Sequence, residues 1–379
     1  MLDLLYRFGV TPRRLASEFP LLGSPERCLT RTAVQGDDGR PWMLERLAPA
    51  QAPRREAMGE LLAHLADPAV SGPDLAALVP AYLPVDDGPM DDGPMDDGPM
   101  DDGPTAPAGG ADSADGEDSA RPGILRYVLA SDMPPHAGYW QLSPFVSGAE
   151  PPRPDYLDHG WRGQAVAALL LALHRAGDNL PAGLPPAPVP PLPAFIAGLH
   201  EAVARRMPEA ARRLHPTRDA LEALPDVLAT QPVVLAHGDA HPLNLIWTPC
   251  GEGDEIPPST NPLAALRGVI DWEFAGAQPI LYDAANCMGC VGFEHPSGLG
   301  RGFAAGFTAT LREGVASYGL AGIPADTLRH LPLMVLASRF GWLSEWLRRG
   351  DRDMLEMELD YCDILLHHRS RLADIWAGG

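Results

Sequence analysis

A short polar segment in the second half of the chain carries side chains that could move a proton and hold a metal ion. It reads His-Gly-Asp-Ala-His-Pro-Leu-Asn from His237 to Asn244 and follows the apolar segment Val233–Ala236. Asp239 and Asn244 are five residues apart on what should be a loop, so both can face one centre. A carboxylate there can accept the proton of an attacking hydroxyl group, and an amide oxygen can bind a magnesium ion.

A second cluster, Val-Ile-Asp-Trp-Glu, lies at residues 269–273. Asp271 comes directly after a short apolar segment, where a carboxylate can bind the magnesium ion that bridges nucleotide phosphates. Either cluster alone could be an ordinary turn in which Asp and Asn cap helices. The two clusters in this order favour a site for phosphate transfer.

Together with Tyr-Asp-Ala-Ala at 282–285, these motifs closely resemble the signature of the aminoglycoside phosphotransferase and choline kinase superfamily. Homoserine kinase-like and N-acetylhexosamine kinase-like proteins share it, and the aspartate of the third motif braces the catalytic loop in this family. The resemblance implies that Asp239 is the catalytic base and that His237 organises its loop. It also implies that Asn244 and Asp271 bind the Mg²⁺ that accompanies ATP or GTP.

The resemblance extends more weakly to the amino-terminal part of the chain. Residues 22–27, Leu-Gly-Ser-Pro-Glu-Arg, resemble the loop that covers the nucleotide phosphates, with Ser24 among the contacts. Residues 140–148 resemble the strand and linker between two lobes, where the backbone of Phe145 and Val146 would receive the adenine.

One departure concerns the phosphate-binding lysine that such kinases carry on their third strand, because all 29 basic residues here are arginines. The expected position is Glu45, and Arg46 beside it would point to the opposite face unless the register shifts or a bulge intervenes. Arg31 on the preceding strand is the other candidate, since arginine can contact phosphate through two hydrogen bonds. Glu56 or Glu60 on the next helix could pair with whichever arginine serves, or both could simply be solvated.

The elements that must position these groups begin with a small sheet. Alternation and turn residues predict strands at 27–35 and 42–47 around a Gly-Asp-Asp-Gly turn. Apolar spacing predicts a helix at 54–65, and two further strands are expected at 124–129 and 140–146.

From residue 160 onward the pattern changes to long helices, interrupted by the two short apolar segments that precede the polar clusters. We therefore predict an α+β, bilobal protein-kinase-like fold with a small antiparallel-sheet N-lobe over 1–148 and a larger helical C-lobe over 149–379. The predicted helices cover 160–176, 192–214, 302–318, 326–349 and 351–376.

Residues 85–122 interrupt the N-lobe with an acidic repeat. Asp-Asp-Gly-Pro-Met occurs three times in tandem, and twelve acidic residues with one arginine between 86 and 121 supply −11 of the net charge of −21. A segment with so little to bury is expected to be disordered.

The composition narrows the function further. The absence of lysine excludes a Walker A phosphate loop and Schiff-base lysine chemistry. A net charge of −21 argues against nucleic acid and anionic membranes as partners, while a cationic or neutral small molecule is compatible with it. No apolar run approaches the ~20 residues of a membrane span, and the start lacks a secretory pattern, so a cytoplasmic protein is expected.

The expected function is transfer of the γ-phosphate of ATP or GTP to a hydroxyl group of a small molecule. An aminoglycoside, an amino alcohol such as homoserine or choline, and an amino sugar all stay open as acceptors. Two alternatives are a nucleotide-binding pseudokinase or regulatory protein without turnover, because the strand lysine is missing, and a kinase that acts on proteins. A wall for a cationic acceptor, or simply a core, could be built from Trp342, Glu345, Trp346, Asp360, Tyr361 and Asp363.

Overall fold

An antiparallel sheet of five strands forms the amino-terminal part of the structure, and helices dominate the rest. This arrangement confirms the predicted α+β kinase-like fold, whereas the lobe boundary at residue 148 stays a prediction. The structure is a computed structural model, and it describes residues 1–22, 28–86, 125–132, 134–249, 260–317 and 327–378.

The sheet has the strand order β1-β2-β3-β5-β4. The predicted strands on either side of the Gly-Asp-Asp-Gly turn are confirmed as β2 and β3, whereas β1 was not predicted because its Pro-Arg-Arg-Leu sequence lacks apolar alternation. β5 begins and ends two residues before its predicted position, whereas the strand predicted at 124–129 coincides with β4 only at Leu129. The strands are β1 (Pro12–Leu15), β2 (Thr30–Gly36), β3 (Pro41–Leu47), β4 (Leu129–Ser131) and β5 (Gly138–Pro144).

Three helices follow β3: α1 (Ala52–Leu65), α2 (Pro68–Ser71) and α3 (Pro73–Ala76). The helix predicted at 54–65 is therefore confirmed as α1, which buries its apolar stripe in the large core that it shares with the C-lobe helices. The sheet's own core contains Val34, Leu44, Leu142 and Trp140, packed against a 3-10 turn at Leu2–Phe8.

The predicted acidic insertion lies outside the described residues, apart from its first two positions. The backbone N–H of Val85 donates to the carbonyl oxygen of Arg126 at 2.6 Å. The chain therefore leaves the sheet and rejoins it at neighbouring points, so the insertion need not disturb the strand order.

The C-lobe is built from nine helices within the described residues, and its large core is continuous with that under α1. The single helix predicted at 192–214 is wrong, because Pro208 forces Met207 out of helical geometry and the helix ends at Arg206. The helices are α4 (Gly160–Asp178), α5 (Leu192–Arg206), α6 (Pro208–Arg213), α7 (His215–Ala220), α8 (Leu224–Ala229), α9 (Tyr282–Glu294), α10 (Gly302–Ser317), α11 (Leu331–Arg349) and α12 (Arg352–Ala377).

Two small antiparallel pairs sit at the front of these helices, and both carry polar loops. One pairs β6 (Val233–Ala236) with β9 (Gly276–Pro279), and the other pairs β7 (Leu245–Trp247) with β8 (Leu266–Val269). Over the part of the chain that is described, no helix has the length and apolar character needed to cross a bilayer.

His174, in the middle of the C-lobe core on α4, gives the fold a testable acid sensitivity. Neither ring nitrogen has a hydrogen-bond partner among the described residues, and burial lowers the pKa of His174 to about 4. As the pH falls from about 6.5 towards 4, the unfolded chain binds a proton that the folded chain does not, so stability is lost over that window. Between about pH 6.5 and pH 4, we expect the free energy of unfolding to fall by about 3 kcal/mol less in His174→Leu than in the parent.

Urea unfolding at pH 7.5 and at pH 4.5 measures this difference. His367→Gln, at an exposed position on α12, is the matched control and should follow the parent. If His174→Leu loses as much stability between the two pH values as the parent does, His174 is not the group responsible.

Candidate active site

The two polar clusters, separated in sequence, come together at one end of the β7–β8 hairpin. Leu245 pairs with Val269, and the N–H of Ile270 donates to the carbonyl oxygen of Asn244 at 3.0 Å. Asn244 and Asp271 therefore leave the hairpin side by side. β6 ends at Ala236 and delivers the rest of the first cluster to the same place.

Asp239 is held from both of its carboxylate oxygens. Oδ2 accepts from Nδ2 of Asn244 at 3.1 Å, and Oδ1 accepts from Nδ2 of Asn286 at 3.0 Å. Nε2 of His241 lies 3.8 Å from Oδ1. A buried carboxylate fixed in this way cannot rotate freely, so its orientation towards an incoming group is set in advance.

Asn286 was missed by the sequence reasoning. It lies on α9 three residues after Asp283, so both polar side chains share one face of a helix that is otherwise apolar. That spacing of two buried polar residues was the signal available in the sequence.

The loop that carries Asp239 is fastened by Asp283 and His237. The Asp283 carboxylate accepts from the N–H groups of His237 at 2.6 Å and Gly238 at 2.8 Å. The fully buried His237 ring donates from Nε2 to the Ile270 carbonyl at 2.9 Å, and its Nδ1 accepts from the N–H of Asp239. Because burial lowers the pKa of His237 to about 4, the ring is neutral near pH 7 and this pattern has a single tautomer.

Gly238 makes the turn that points Asp239 at the site. Its φ is +85°, and a Cβ placed there would lie 2.1 Å from the carbonyl oxygen of Phe274. Gly238→Ala should therefore combine about 1–2 kcal/mol of left-handed backbone strain with a backbone clash. Gly39→Ala is the matched control, because its φ is +80° and nothing lies within 4 Å.

We expect the thermal unfolding temperature to fall clearly further in Gly238→Ala than in Gly39→Ala. An equal fall in the unfolding temperature of the two variants would mean that the close approach to Phe274 does not contribute to the loss of stability.

Asp271 has left-handed backbone geometry, with φ 63° and ψ 54°, and among the described residues it is the one non-glycine residue with positive φ. Such strain persists only where the surroundings enforce it, and it often marks a functional position. Its side chain lines the cleft between the two lobes. A carboxylate from Asp271 and the amide oxygen of Asn244 are the hard oxygen ligands that suit a divalent cation, with substrate phosphates completing the shell.

The cleft holds about 60 Å³ in this conformation, and residues from both lobes line it. Phe145 and Val146 lie in its wall, and their contact with adenine stays a prediction; the N–H of Phe145 is already donated to the carbonyl oxygen of Pro41. Ser24 lies outside the described residues. The lining residues include Arg31, Met43, Glu45, Arg55, Tyr82, Phe145, Val146, Asp271 and Trp272.

The suggestion that Arg46 reaches the phosphates is wrong. The β2–β3 register runs without a bulge from Thr30–Arg46 to Gln35–Pro41, so Arg46 points away from the cleft. It donates to the carbonyl oxygen of Ala137 at 2.7 Å and lies over the Trp140 ring.

The suggested helix partners are also wrong. Both carboxylate oxygens of Glu56 accept from backbone N–H groups, those of Tyr127 and Val128, and Glu60 is exposed. The helix residue that faces the cleft is instead Arg55, which lies 3.4 Å from Glu45 on β3. Sequence reasoning missed this pair, although Arg54-Arg55 at the start of the helix was visible.

A second cavity of about 220 Å³ lies beside His241, against α9 and α11. Phe293, Met354 and the stacked rings of Trp342 and Trp346 give it an apolar lining. Its charged groups are paired among themselves: Glu294 accepts from Arg153 at 2.8 Å and from the Tyr156 hydroxyl at 2.9 Å. Arg339 is bonded through two nitrogens to buried Glu358.

The acidic and aromatic wall suggested for a cationic acceptor is therefore only half present. Trp342 and Trp346 line the cavity, but Tyr361 is buried behind its wall, against Phe293. The acids are engaged by arginines outside the cavity, Glu345 by Arg348 and Arg349, and Asp360 and Asp363 by Arg213.

Comparison with known families gives a match over most of the chain. A sequence model described as the phosphotransferase enzyme family matches residues 26–320. A search of curated protein sequences gives no match.

Solved structures with the same fold share little sequence with this chain. A microcompartment-associated aminopropanol kinase superposes with a TM-score of 0.55 at 17% identity, covering 99% of this chain and 97% of that one. The amicoumacin kinase hAmiN, solved with AMP-PNP, Ca²⁺ and amicoumacin, has a TM-score of 0.54 at 10% identity and coverages of 96% and 93%. A GDP complex of aminoglycoside 2'-phosphotransferase-IIIa has 0.52 at 15% identity, covering 97% of each chain.

Proposed function

Because the chain belongs to the phosphotransferase enzyme family, we propose that it transfers the γ-phosphate of ATP or GTP to a hydroxyl group of a small molecule. The observation that carries the proposal is Asp239, a buried carboxylate fixed by Asn244 and Asn286 at the end of the hairpin that also delivers Asp271. The donor would lie in the cleft between the lobes, and the acceptor in the cavity beside His241.

In the proposed reaction the acceptor's hydroxyl oxygen bonds to the γ-phosphorus while the bond from that phosphorus to the β–γ bridging oxygen breaks. The nucleoside diphosphate leaves with the bridging oxygen, and Asp239 takes the hydroxyl proton. His237, neutral and buried, positions the backbone of Asp239 and does not itself exchange a proton near pH 7. Asn244 and Asn286 hold the carboxylate so that little reorganisation is needed when the proton moves.

Asn244 and Asp271 are the proposed ligands of a divalent cation, with Mg²⁺ the expected ion. Both hydrogen bonds of the Asn244 amide nitrogen go to Asp239, at 2.9 and 3.1 Å, which leaves its oxygen as the atom for a metal. When bound, the ion supplies positive charge to the phosphates. The nucleotide complexes of the two fold relatives, one of them with Ca²⁺, support a nucleotide donor with a divalent cation.

The cavity beside His241 favours an acceptor with an apolar or aromatic body over a polycation. The acidic residue in its lining, Glu294, is already paired with Arg153, so a highly charged amine would find no uncompensated carboxylate in the lining. The Trp342 and Trp346 rings stack on each other, and the guanidinium groups of Arg339 and Arg349 already lie over them at 6.0 and 5.5 Å, which disfavours a second cation there. Among the acceptor classes considered, a compact amino alcohol fits better than an aminoglycoside.

A second candidate function is nucleotide binding without turnover. Two observations favour it: Glu45 stands where a phosphate-binding lysine is expected, and a cleft of about 60 Å³ is smaller than the ~300 Å³ of ordinary ligand pockets. A donor must therefore part the lobes or shift side chains on entry.

The function is tested by a screen of purified protein with ATP and with GTP against amino alcohols, amino sugars, aminoglycosides, uncharged apolar alcohols and a protein mixture. The readout is nucleoside diphosphate release that depends on the acceptor. Selective release with small acceptors supports the proposal. Nucleotide binding with no release for any acceptor favours the second function, and transfer to proteins alone overturns the small-molecule acceptor.

A further inference from the structure

Two charged positions at the top of the cleft are exchanged relative to the arrangement expected of a kinase. There, a lysine on the third strand contacts the phosphates and pairs with a glutamate on the following helix. Here the third strand carries Glu45 and the following helix carries Arg55. The sign of each charge is reversed, while the pair itself is kept.

We propose that Arg55, positioned by Glu45 and accompanied by Arg31, contacts the phosphates of the nucleotide donor in place of the missing lysine. The inference rests on the proposed function, since it assigns the donor-binding charge within that same cleft.

The positions of Arg31 and Glu45 follow from the sheet register. They are direct partners across β2 and β3, so both side chains stand on the face that lines the cleft. Nε of Arg31 lies 3.4 Å from Oε1 of Glu45, and Nη1 of Arg55 lies 3.4 Å from Oε2. Glu45 is thus shared between two arginines, one on each of its oxygens.

Little water remains around Arg31, Glu45 and Arg55, because each is no more than 11% exposed. With the Glu273 carboxylate 3.8 Å from Arg55, the two arginines face two glutamates. The separations of 3.4 Å between Glu45 and the two arginines exceed the roughly 2.7–2.9 Å of a full charge-assisted hydrogen bond. Nε of Arg31 makes no hydrogen bond among the described residues. Because little water screens these guanidinium groups and their ion pairs are long, an anion in the cleft would interact strongly with them.

Arg55 stays protonated under all ordinary conditions. Burial alone would lower its pKa, but Tyr82, Glu45 and Glu273 outweigh burial and the pKa is raised. The Tyr82 hydroxyl also accepts from Nη1 at 2.9 Å, which fixes the guanidinium plane.

The start of α1 is tied to the turn that follows Asp271. Nε of Arg54 donates to the Glu273 carbonyl at 2.8 Å and its Nη2 donates to the Ala275 carbonyl, while Nη2 of Arg55 lies 3.8 Å from the Glu273 carboxylate. These contacts set Arg55 at a fixed place relative to Asp271. A triphosphate would then meet positive charge from α1 on one side and the metal-binding carboxylate on the other.

Calorimetric titration of the full chain with ATP and, separately, with adenosine in the presence of Mg²⁺ tests the inference. Arg55→Gln should weaken ATP binding roughly ten- to hundredfold, the loss expected for hydrogen bonds to a charged group, while adenosine binding stays the same. Glu45→Lys with Arg55→Glu, which restores the usual order of charges, should recover most of the ATP affinity. Arg46→Gln, on the opposite face of β3, is the control and should bind ATP like the parent.

A purely structural pair would give other results. Unchanged ATP affinity in a folded Arg55→Gln overturns the inference, and so does an equal loss for ATP and adenosine. If Arg55→Gln does not fold, Arg55→Lys and Arg31→Gln decide: each should lose ATP affinity selectively, and ATP affinity kept in both overturns the inference. If the parent binds neither ATP nor GTP, the proposed function itself fails and the inference fails with it.

Discussion

Asp239→Asn should leave nucleotide binding intact and slow phosphate transfer roughly 10²–10⁴-fold, the range for a lost general acid or base. The amide keeps the size of the carboxylate but cannot take the hydroxyl proton. It also places an N–H₂ group against the amides of Asn244 or Asn286, so one of the two hydrogen bonds must rearrange. Turnover measured beside calorimetric titration with a non-hydrolysable ATP analogue separates the two effects.

The matched control for this variant is Asp226→Asn, an exposed carboxylate on α8. It should change neither turnover nor binding, which excludes a general effect of removing one negative charge. Full activity in Asp239→Asn would show that another group accepts the proton.

Asp271→Ala should abolish turnover and weaken nucleotide affinity only when Mg²⁺ is present. The reason is that the variant removes the proposed carboxylate ligand while leaving the rest of the cleft in place. Titration of the ATP analogue with Mg²⁺ and again with EDTA measures the metal-dependent part. If the affinity with Mg²⁺ matches that of the parent, Asp271 does not bind the metal.

Asp271→Gly is the companion variant, because it removes the same carboxylate but accepts the left-handed backbone without strain. Asp271→Gly should therefore be more stable than Asp271→Ala by about 1–2 kcal/mol while being equally inactive. If both variants are inactive and Asp271→Gly is the more stable one, the loss of activity is caused by removal of the carboxylate and not by backbone strain.

The sequence predicts those helices and strands that have a long apolar pattern or are joined by a turn with characteristic turn residues. β2, β3 and α1 were predicted because alternation, a Gly-Asp-Asp-Gly turn and an apolar stripe each require one local conformation. The short strands β7 and β9 were not predicted, since three or four residues carry too little periodicity and their pairing depends on distant partners.

The candidate site divides in the same way. Asp239, Asn244 and Asp271 were proposed from the order of their motifs and the family resemblance, whereas their meeting at one hairpin end depends on the Leu245–Val269 pairing. Arg55 was missed because the residue that faces the cleft depends on the rotation of α1 about its axis. That rotation is set by the hydrogen bond from Arg54 to the turn after Asp271, and the two residues are more than 200 positions apart in the sequence.

Transfer of an isotopic label tests the central claim most directly. The parent is incubated with Mg²⁺, an acceptor found in the screen, and ATP (or GTP, if that is the donor found) carrying ¹⁸O in its γ-phosphoryl group, and the products are identified by mass spectrometry. The account predicts a labelled phosphomonoester of the acceptor, formed in equal amount to the nucleoside diphosphate and absent with Asp239→Asn over the same interval. Label found only in inorganic phosphate, or label transfer undiminished in Asp239→Asn, would contradict it.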